Sequence, residues 1–366
     1  MKENWTYKKF EECLVKAPKL KQVQTSEYNA GTKYPIVSQE EKLVSGYCDN
    51  DSLLYKIEKP VVVFGDHTRV LKYIDFDFVV GADGVKILIP QNFLDAKFLL
   101  YYLQWYQVPS LGYSRHYKLL KEITIPVPPL SQQQSIVAEL DNINNLINIK
   151  KAQLDEYDKL AQSIFYEMFG DPIDNPKKWE VKKLGDEFDV SSGGTPSTKN
   201  PEYWDGGDIS WIGSNMCQNK VITNNDGKFI TQKGLEHSNA KLYSKGTVLV
   251  ALVGATIGKV ALLQIETTTN QNIAGINVSA NKQYVPFFVF YVIQSLYCLF
   301  ENVGEGKFKM ANLSFVRSLP IINPPLSLQQ SFAEKIEAIE HQKELVKQSL
   351  NEVKTLFDSR MDYYFN

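Results

Sequence analysis

The sequence predicts a mixed α/β (α+β) chain of two globular bodies and two long antiparallel coiled-coil helices, laid out as an internal repeat with pseudo-twofold symmetry. Three observations predict it. First, PPLSQQQSIVAELDNINNL, starting at Pro128, returns as PPLSLQQSFAEKIEAIEHQ, starting at Pro324, in register and without a gap. A repeat this long usually sets the architecture. Second, both copies continue in heptads. Ile136, Leu140, Ile143, Ile147, Lys150, Leu154, Tyr157, Ala161, Ile164 and Met168 step alternately by four and three, as do Phe332, Ile336, Ile339, Lys343, Val346, Leu350, Val353, Phe357, Arg360 and Tyr364. Only Lys150, Lys343 and Arg360 interrupt the apolar rows, which is the pattern of a coiled-coil seam. Third, connectivity orients the pair. The first helix leaves one body and arrives at the other, and the second must run back beside it to bury its seam. The boundaries read as a body over residues 1–130, a helix over 131–170, a second body over 171–325 and a second helix over 326–366.

Each helix opens after Pro-Pro, which cannot continue a helix backwards, with Ser131 or Ser327 followed three residues later by Gln134 or Gln330 at capping-box spacing. Gly170-Asp171-Pro172 ends the first. At 1.5 Å per residue each helix is about 57 Å long. The bodies repeat as well. Trp5-x-x-Lys8-Lys9 is echoed by Trp179-x-x-Lys182-Lys183, and FLLYYLQ at residue 98 by FVFYVIQ at residue 288. A Gly-rich basic loop precedes each helix, GYSRHYK at residue 112 and GEGKFK at residue 304.

Within the first body YPIVS, KPVVVFGD, IDFDFVV and VKILIP read as strands, followed by a short aromatic-rich helix over 98–106. In the second, ISWIG, GTVLVALVG, KVALLQI and AGINVS read as strands after the turn-rich SSGGTPSTKNPEYWDGGD, with a helix over 287–299.

At 366 residues the chain is too long for one ordinary core. Cys13, Cys48, Cys217 and Cys298 show neither CxxC pairing nor ligand spacing, so they read as reduced thiols of a cytoplasmic protein. The start MKENWTYKKF lacks the apolar stretch of a signal peptide, and the longest apolar run, 287–300, is too short to span a bilayer, so no membrane association is expected. Net charge is −2, distributed as +2 and +1 on the bodies and −3 and −2 on the helices. Any nucleic-acid contact must therefore come from local clusters rather than a global field.

Three motifs suggest chemistry and each fails. Asn323-Pro324-Pro325-Leu326 resembles an adenine-methyltransferase motif without its stacking aromatic. Gly254-Ala-Thr-Ile-Gly258-Lys259 is one residue short of a phosphate loop and has Val260 where a hydroxyl should hold magnesium. Asp174 with Glu180-Val181-Lys182 imitates a nuclease metal site, but the first copy of the repeat has Thr6 at the glutamate position. The histidines at 67, 116, 237 and 341 have no metal spacing. The chain is expected to be non-catalytic, with no metal or cofactor of its own.

What remains are residue types that read base edges and hold phosphates, in loops of both bodies. In the first body these are Thr25, Tyr28, Lys33, Tyr34, Gln39, His67, Arg69, Lys72, Ser114, Arg115 and His116. The second body contributes Thr195, Ser197, Lys199, Trp211, Ser214, Asn215, Gln271, Asn272, Lys307 and Lys309.

With TSEYNAGTKYPIVSQ, FGDHTR and FVVGADGVKIL in the first half, and SSGGTPSTKNPEYW, GATIGKVAL and TTTNQNIAGI in the second, each half closed by the PPL-S-x-Q-Q helix, the chain resembles the specificity subunit of type I restriction-modification systems over essentially its whole length. The resemblance implies that the bodies are target recognition domains for a bipartite double-stranded DNA site and the helices conserved spacers. It also implies that methyltransferase (M) subunits using S-adenosylmethionine, and restriction (R) subunits using ATP and magnesium, assemble on it. Half-site centres roughly one helical turn apart, about 10 bp, are then expected, with a heptad inserted into both helices lengthening the unread gap. The competing expectation is a coiled-coil adaptor for two proteins without DNA binding, which explains the helices but not the paired loops.

Overall fold

A computed structural model of the chain describes residues 4–29, 31–112, 114–301, 303 and 310–366. It divides into two compact units, Met1–Ala152 with Lys347–Asn366, and Gln153–Val346. The long helices run Leu130–Phe169 and Leu326–Phe365, so each unit contains the start of one and the end of the other.

In the first unit Thr6–Lys9 pairs antiparallel with Thr124–Val127, directly before the long helix. One antiparallel sheet orders Leu14–Val15, Val85–Pro90, Val61–Gly65 and Leu71–Ile74. A second orders Gly46–Cys48, Tyr34–Val37, Phe78–Val80 and Leu54–Tyr55, with Tyr34–Val37 parallel to Phe78–Val80. The helix Ala96–Tyr106 starts on Asp95, whose carboxylate accepts the N–H groups of Lys97 and Phe98.

The second unit repeats this order. Val181–Lys183 pairs with Pro320–Ile322. Asp189–Ser192, Ile273–Asn277, Val248–Ala251 and Val260–Leu263 form the first sheet, extended by Lys220–Ile222. The second sheet orders Phe229–Ile230, Ile209–Ile212, Thr267–Thr269 and Leu242–Tyr243, again with one parallel pair, Ile209–Ile212 beside Thr267–Thr269. The repeat seen in the helices thus runs through both bodies.

The helix ends are the keystones of the two cores. Phe365, last residue of the second helix, packs edge-on against Phe98 at 5.4 Å. Phe169, its repeat equivalent at the end of the first, packs on Phe288 at 4.8 Å and on Phe332 at 5.3 Å. Burying one such phenylalanine contributes about 1.5–3 kcal/mol, which rewards docking each helix end on a body. In the first unit Ile136, Val137 and Leu140 share a core with Met361, Tyr364 and Phe365. In the second, Ala161, Phe165 and Phe169 share one with Phe332, Ala333, Ile336 and Ile339. The start of one helix meets the end of the other in each unit, which is antiparallel pairing. Every heptad position named above is buried or half-buried.

Two of the polar interruptions are ion-paired. Arg360 makes a bidentate contact with Glu139, and Tyr364 donates to Glu139 Oε2 at 2.6 Å. Lys343 reaches Asp158 and Glu340, both at 2.6 Å. Burial pulls the Lys343 pKa down, but the hydrogen bonds it donates to the Asp158 and Glu340 carboxylates outweigh that and leave it raised.

Three local expectations need correction. The helices begin at Leu130 and Leu326, so Ser131 and Ser327 fall inside the first turn, exposed, and form no capping box with the exposed Gln134 and Gln330. The glutamine that matters is its neighbour. Gln133, fully buried, donates Nε2–H to Phe93 O and Pro128 O and accepts Asp95 N–H, each at 2.8 Å. Gln329 does the same with Gln283 O, Pro324 O and Val285 N–H at 3.0–3.2 Å. IDFDFVV is not one strand but two, Leu71–Ile74 and Phe78–Val80 in different sheets, because Asp77 turns to accept Ile57 N–H at 2.9 Å. The helix expected over 287–299 is two, Pro286–Ser295 and Tyr297–Glu301, meeting at Leu296.

Candidate nucleic-acid interface

In the first unit the hairpin turn after Val61–Gly65 is the hub. Asp66, buried, accepts Tyr117 N–H at 2.7 Å on its carboxylate and His116 N–H at 2.8 Å on its carbonyl. His116 donates Nδ1–H to Asp66 O at 2.9 Å and accepts Leu111 N–H at Nε2, at 3.0 Å. These contacts tie His116 and Tyr117 to the turn, directly after the half-buried Ser114 and the exposed Arg115. Gln39 joins from the neighbouring loop, donating to Asp83 O at 2.9 Å and accepting His67 N–H at 3.2 Å. Thr68 donates to Gln39 O at 2.6 Å. Gly84, at φ +95°, closes the cluster: a Cβ there would lie 2.7 Å from Gln39 Oε1 and 2.9 Å from a His67 ring carbon.

A second group surrounds Tyr34. Lys33 stands over its ring at 4.7 Å and pairs with Asp51 at 3.1 Å, with Thr25 exposed on a nearby turn.

Three of the expected contacts in this unit belong to the interior, and the expectation is corrected. Tyr28 is 6% exposed and its hydroxyl accepts Ala82 N–H at 2.9 Å, so it anchors a turn. Lys72, 5% exposed, donates to Ser38 O at 2.9 Å and to Lys42 O, holding the 38–45 loop that carries Gln39. Burial pushes its pKa down. His116, 1% exposed, is the bracket described above. Each is a polar side chain whose backbone partners are legible only once the chain is folded.

In the second unit Thr195 donates to Gln271 at 2.7 Å, joining the turn-rich loop to the Asn270-Gln271-Asn272 triplet. Asn270 accepts Asn272 N–H at 3.1 Å and donates its own N–H to Ile212 O, beside Ser214 and the exposed Asn215. Ser197 and Lys199 are exposed. Trp211 is the fourth correction. At 8% exposed it lies edge-on to Trp204 at 5.4 Å and donates to Gly194 O at 3.2 Å, flooring the loop. Lys307 and Lys309, with the GEGKFK loop, lie outside the described residues.

The structure adds residues that motif reading missed. A cleft of about 770 Å³ opens between Thr195 and Trp211, and Trp204, Asp205, Lys228 and Phe229 complete its wall. Phe229, 40% exposed opposite Ser210, occupies the same rung as Tyr47, 44% exposed opposite Pro35. Sequence offered only a weak signal for this pair, since the edge strands are two or three residues long.

Burial pushes the Cys13 thiol up to about 11 and that of Cys217 up to about 12. Among the described residues no three His, Cys, Asp or Glu side chains gather as a metal site, and no helix is long and apolar enough to cross a membrane.

The model of the family described as type I restriction modification DNA specificity domain matches residues 2–157 and 176–355. The EcoR124I/EcoR124II specificity subunit of Escherichia coli is 27% identical over 274 residues, covering 69% of this chain and 66% of that protein. The MjaIX specificity subunit of Methanocaldococcus jannaschii is 40% identical over 103 residues, covering 28% and 23%. The matches thus span less than two thirds of these relatives' lengths. Among solved structures, the type I restriction-modification S subunit from M. genitalium superposes with a TM-score of 0.57 at 15% identity, over 98% of this chain and 95% of that one. A chain from a study of type I system assembly and conformational transition gives 0.55 at 16% identity, over 100% and 98%. These two show a shared fold.

Proposed function

The chain belongs to the type I restriction modification DNA specificity family, and from that premise we propose that it is the sequence-specific DNA-recognition subunit of such a system. Each unit reads one half of a bipartite duplex site. The subunit performs no chemistry: methyltransferase subunits holding S-adenosylmethionine, and restriction subunits using ATP and magnesium, act in the cytoplasm while assembled on it. The observation that carries this reading is the duplication. Two units with the same strand order present polar loops: Gln39 and Asn215 follow the corresponding strands Tyr34–Val37 and Ile209–Ile212, while His67 and Arg115 in the first unit and Thr195 and Gln271 in the second add side chains from loops that differ between the two. Two readers of one fold with different loop residues suit a site of two unlike halves.

The test is sequencing of methylated adenines in a host carrying the full system. A bipartite motif with an unread gap is expected. Exchanging residues 193–215 for those of a relative should alter one half of the motif and leave the other intact. A continuous motif, or both halves changing together, refutes the reading. Arg115→Ala in the assembled methyltransferase should weaken binding by about 1–3 kcal/mol if the guanidinium meets a base, or less if it meets a phosphate.

A further inference from the structure

We propose that the first unit contains a seat for one phosphate of the DNA backbone, built on Arg69, Gln104 and Gln107, that the second unit lacks. The inference rests on the DNA-reading function above and adds a site and a ligand group to it.

The two units share an equivalent turn. In the first unit Gly65 N–H bonds Val70 O at 2.8 Å, and Arg69 N–H bonds Gly65 O at 2.7 Å. In the second, Ala251 N–H bonds Lys259 O and Gly258 N–H bonds Ala251 O, both at 2.9 Å. Arg69 and Gly258 therefore occupy the same place, and both are left-handed, at φ +62° and +75°. Glycine adopts that backbone without cost, whereas an L-residue is strained by its Cβ. The second unit uses the residue the turn favours, and the first holds an arginine there against it.

The surroundings differ in the same sense. In the second unit a Cβ on Gly258 would lie 2.7 Å from the Phe300 side chain, so the space is filled. In the first it is an open cavity of about 360 Å³, lined by Arg69, Thr68, Leu71, Leu103, Gln104 and Gln107, with no carboxylate in its wall. Gln107 is itself left-handed, at φ +48°. That conformation is the ordinary left-handed cap of the helix Ala96–Tyr106, with Gln107 N–H on Leu103 O, and it turns the residue into the wall of the cavity, so the backbone held against its preference is at Arg69.

The chemistry is that of a donor-rich pocket. Arg69 spends one N–H on Val108 O, at 3.0 Å, which aims the guanidinium while leaving further donors. The exposed amides of Gln104 and Gln107 can add theirs. Such a set suits a phosphate oxygen pair. Thr68, bonded to Gln39 O, joins the cavity to the loops proposed to face the duplex.

Arg69→Gly provides the test, because it deletes the side chain at a position where glycine fits. The full chain assembled with its methyltransferase subunits is titrated across 50–200 mM salt, with a duplex bearing the methylated motif and with a scrambled duplex. The variant should melt near the parent temperature, bind both duplexes more weakly by a similar factor, and show a log K against log salt slope shallower by about 0.9. An unchanged slope overturns the seat, as does a lowered melting temperature with unchanged binding, which would make Arg69 a structural tie to Val108. Weakened subunit assembly with normal DNA binding would assign the cavity to a protein carboxylate and overturns it too. A parent complex that binds no DNA removes the proposed function and this inference together; a parent that binds alongside an unaffected variant removes only the seat.

Discussion

Replacing Gln133 by Met should unlatch the first long helix from its body. The amide, itself with no exposed surface, satisfies three backbone groups, Asp95 N–H, Phe93 O and Pro128 O, all at 2.8 Å; the bond to Pro128 is buried and the other two partly so. Methionine matches the volume but offers neither the donors nor the acceptor. A buried polar group left unpaired costs about 1–3 kcal/mol, so one buried group and two partly buried ones give about 2–4 kcal/mol. Two units need not unfold in one step, so a single midpoint is a poor readout. Hydrogen exchange across residues 93–98 together with urea unfolding resolves the effect. Faster exchange at Asp95, Lys97 and Phe98 is expected, with the first unit melting before the second. Gln134→Met, one residue along and exposed, is the control and should stay within about 0.5 kcal/mol. Gln329→Met should act likewise in the second unit, somewhat less given its longer bonds of 3.0–3.2 Å. A loss below about 1 kcal/mol for Gln133→Met would refute the reasoning, since it would mean the three groups find other partners.

Gly258→Ala should destabilise the second unit by about 1–3 kcal/mol, because the backbone is left-handed and a Cβ meets Phe300 at 2.7 Å; thermal unfolding checks it. Lys72→Met should change global stability by less than about 1 kcal/mol, since the buried charge disappears along with its two hydrogen bonds. The 38–45 loop it holds should then be cut faster by a protease, and an unchanged cleavage rate counts against its tethering role. The hydrogen bond from Arg360 holds the Glu139 carboxyl below the usual glutamate range. A depressed carboxyl contributes stability that is present above its unfolded pKa, about 4.3, and is lost as pH falls toward the folded value. Melting of the first unit should therefore weaken from about pH 5 downward, and Glu139→Gln should flatten that slope. With side chains 30% and 39% exposed the effect is small, and identical profiles for parent and variant would dismiss it.

The long helices, their heptad seam, their antiparallel sense and the duplication of the bodies were legible in the chain itself. Periodicity and self-similarity are written residue by residue, and a seam of Ile136, Leu140 and their successors has few ways to leave water. The candidate interface was legible only as residue types. Sequence placed Gln39, His67, Arg69 and Arg115 in loops, and could not distinguish them from Tyr28, Lys72, His116 and Trp211, which folding turns inward. The difference lies in backbone partners far along the chain: Lys72 on Ser38 O and Lys42 O, His116 on Asp66 O, Trp211 on Gly194 O. The buried latch at Gln133 and Gln329, one residue from the glutamines that capping rules favour, follows from where Pro128 and Pro324 dock, which no local rule contains. What the sequence by itself determined is what repeats or alternates along the chain. What only the tertiary structure decided is which polar side chains are consumed in holding the loops and which are left to meet a ligand, because hydrogen bonding is settled by proximity in space.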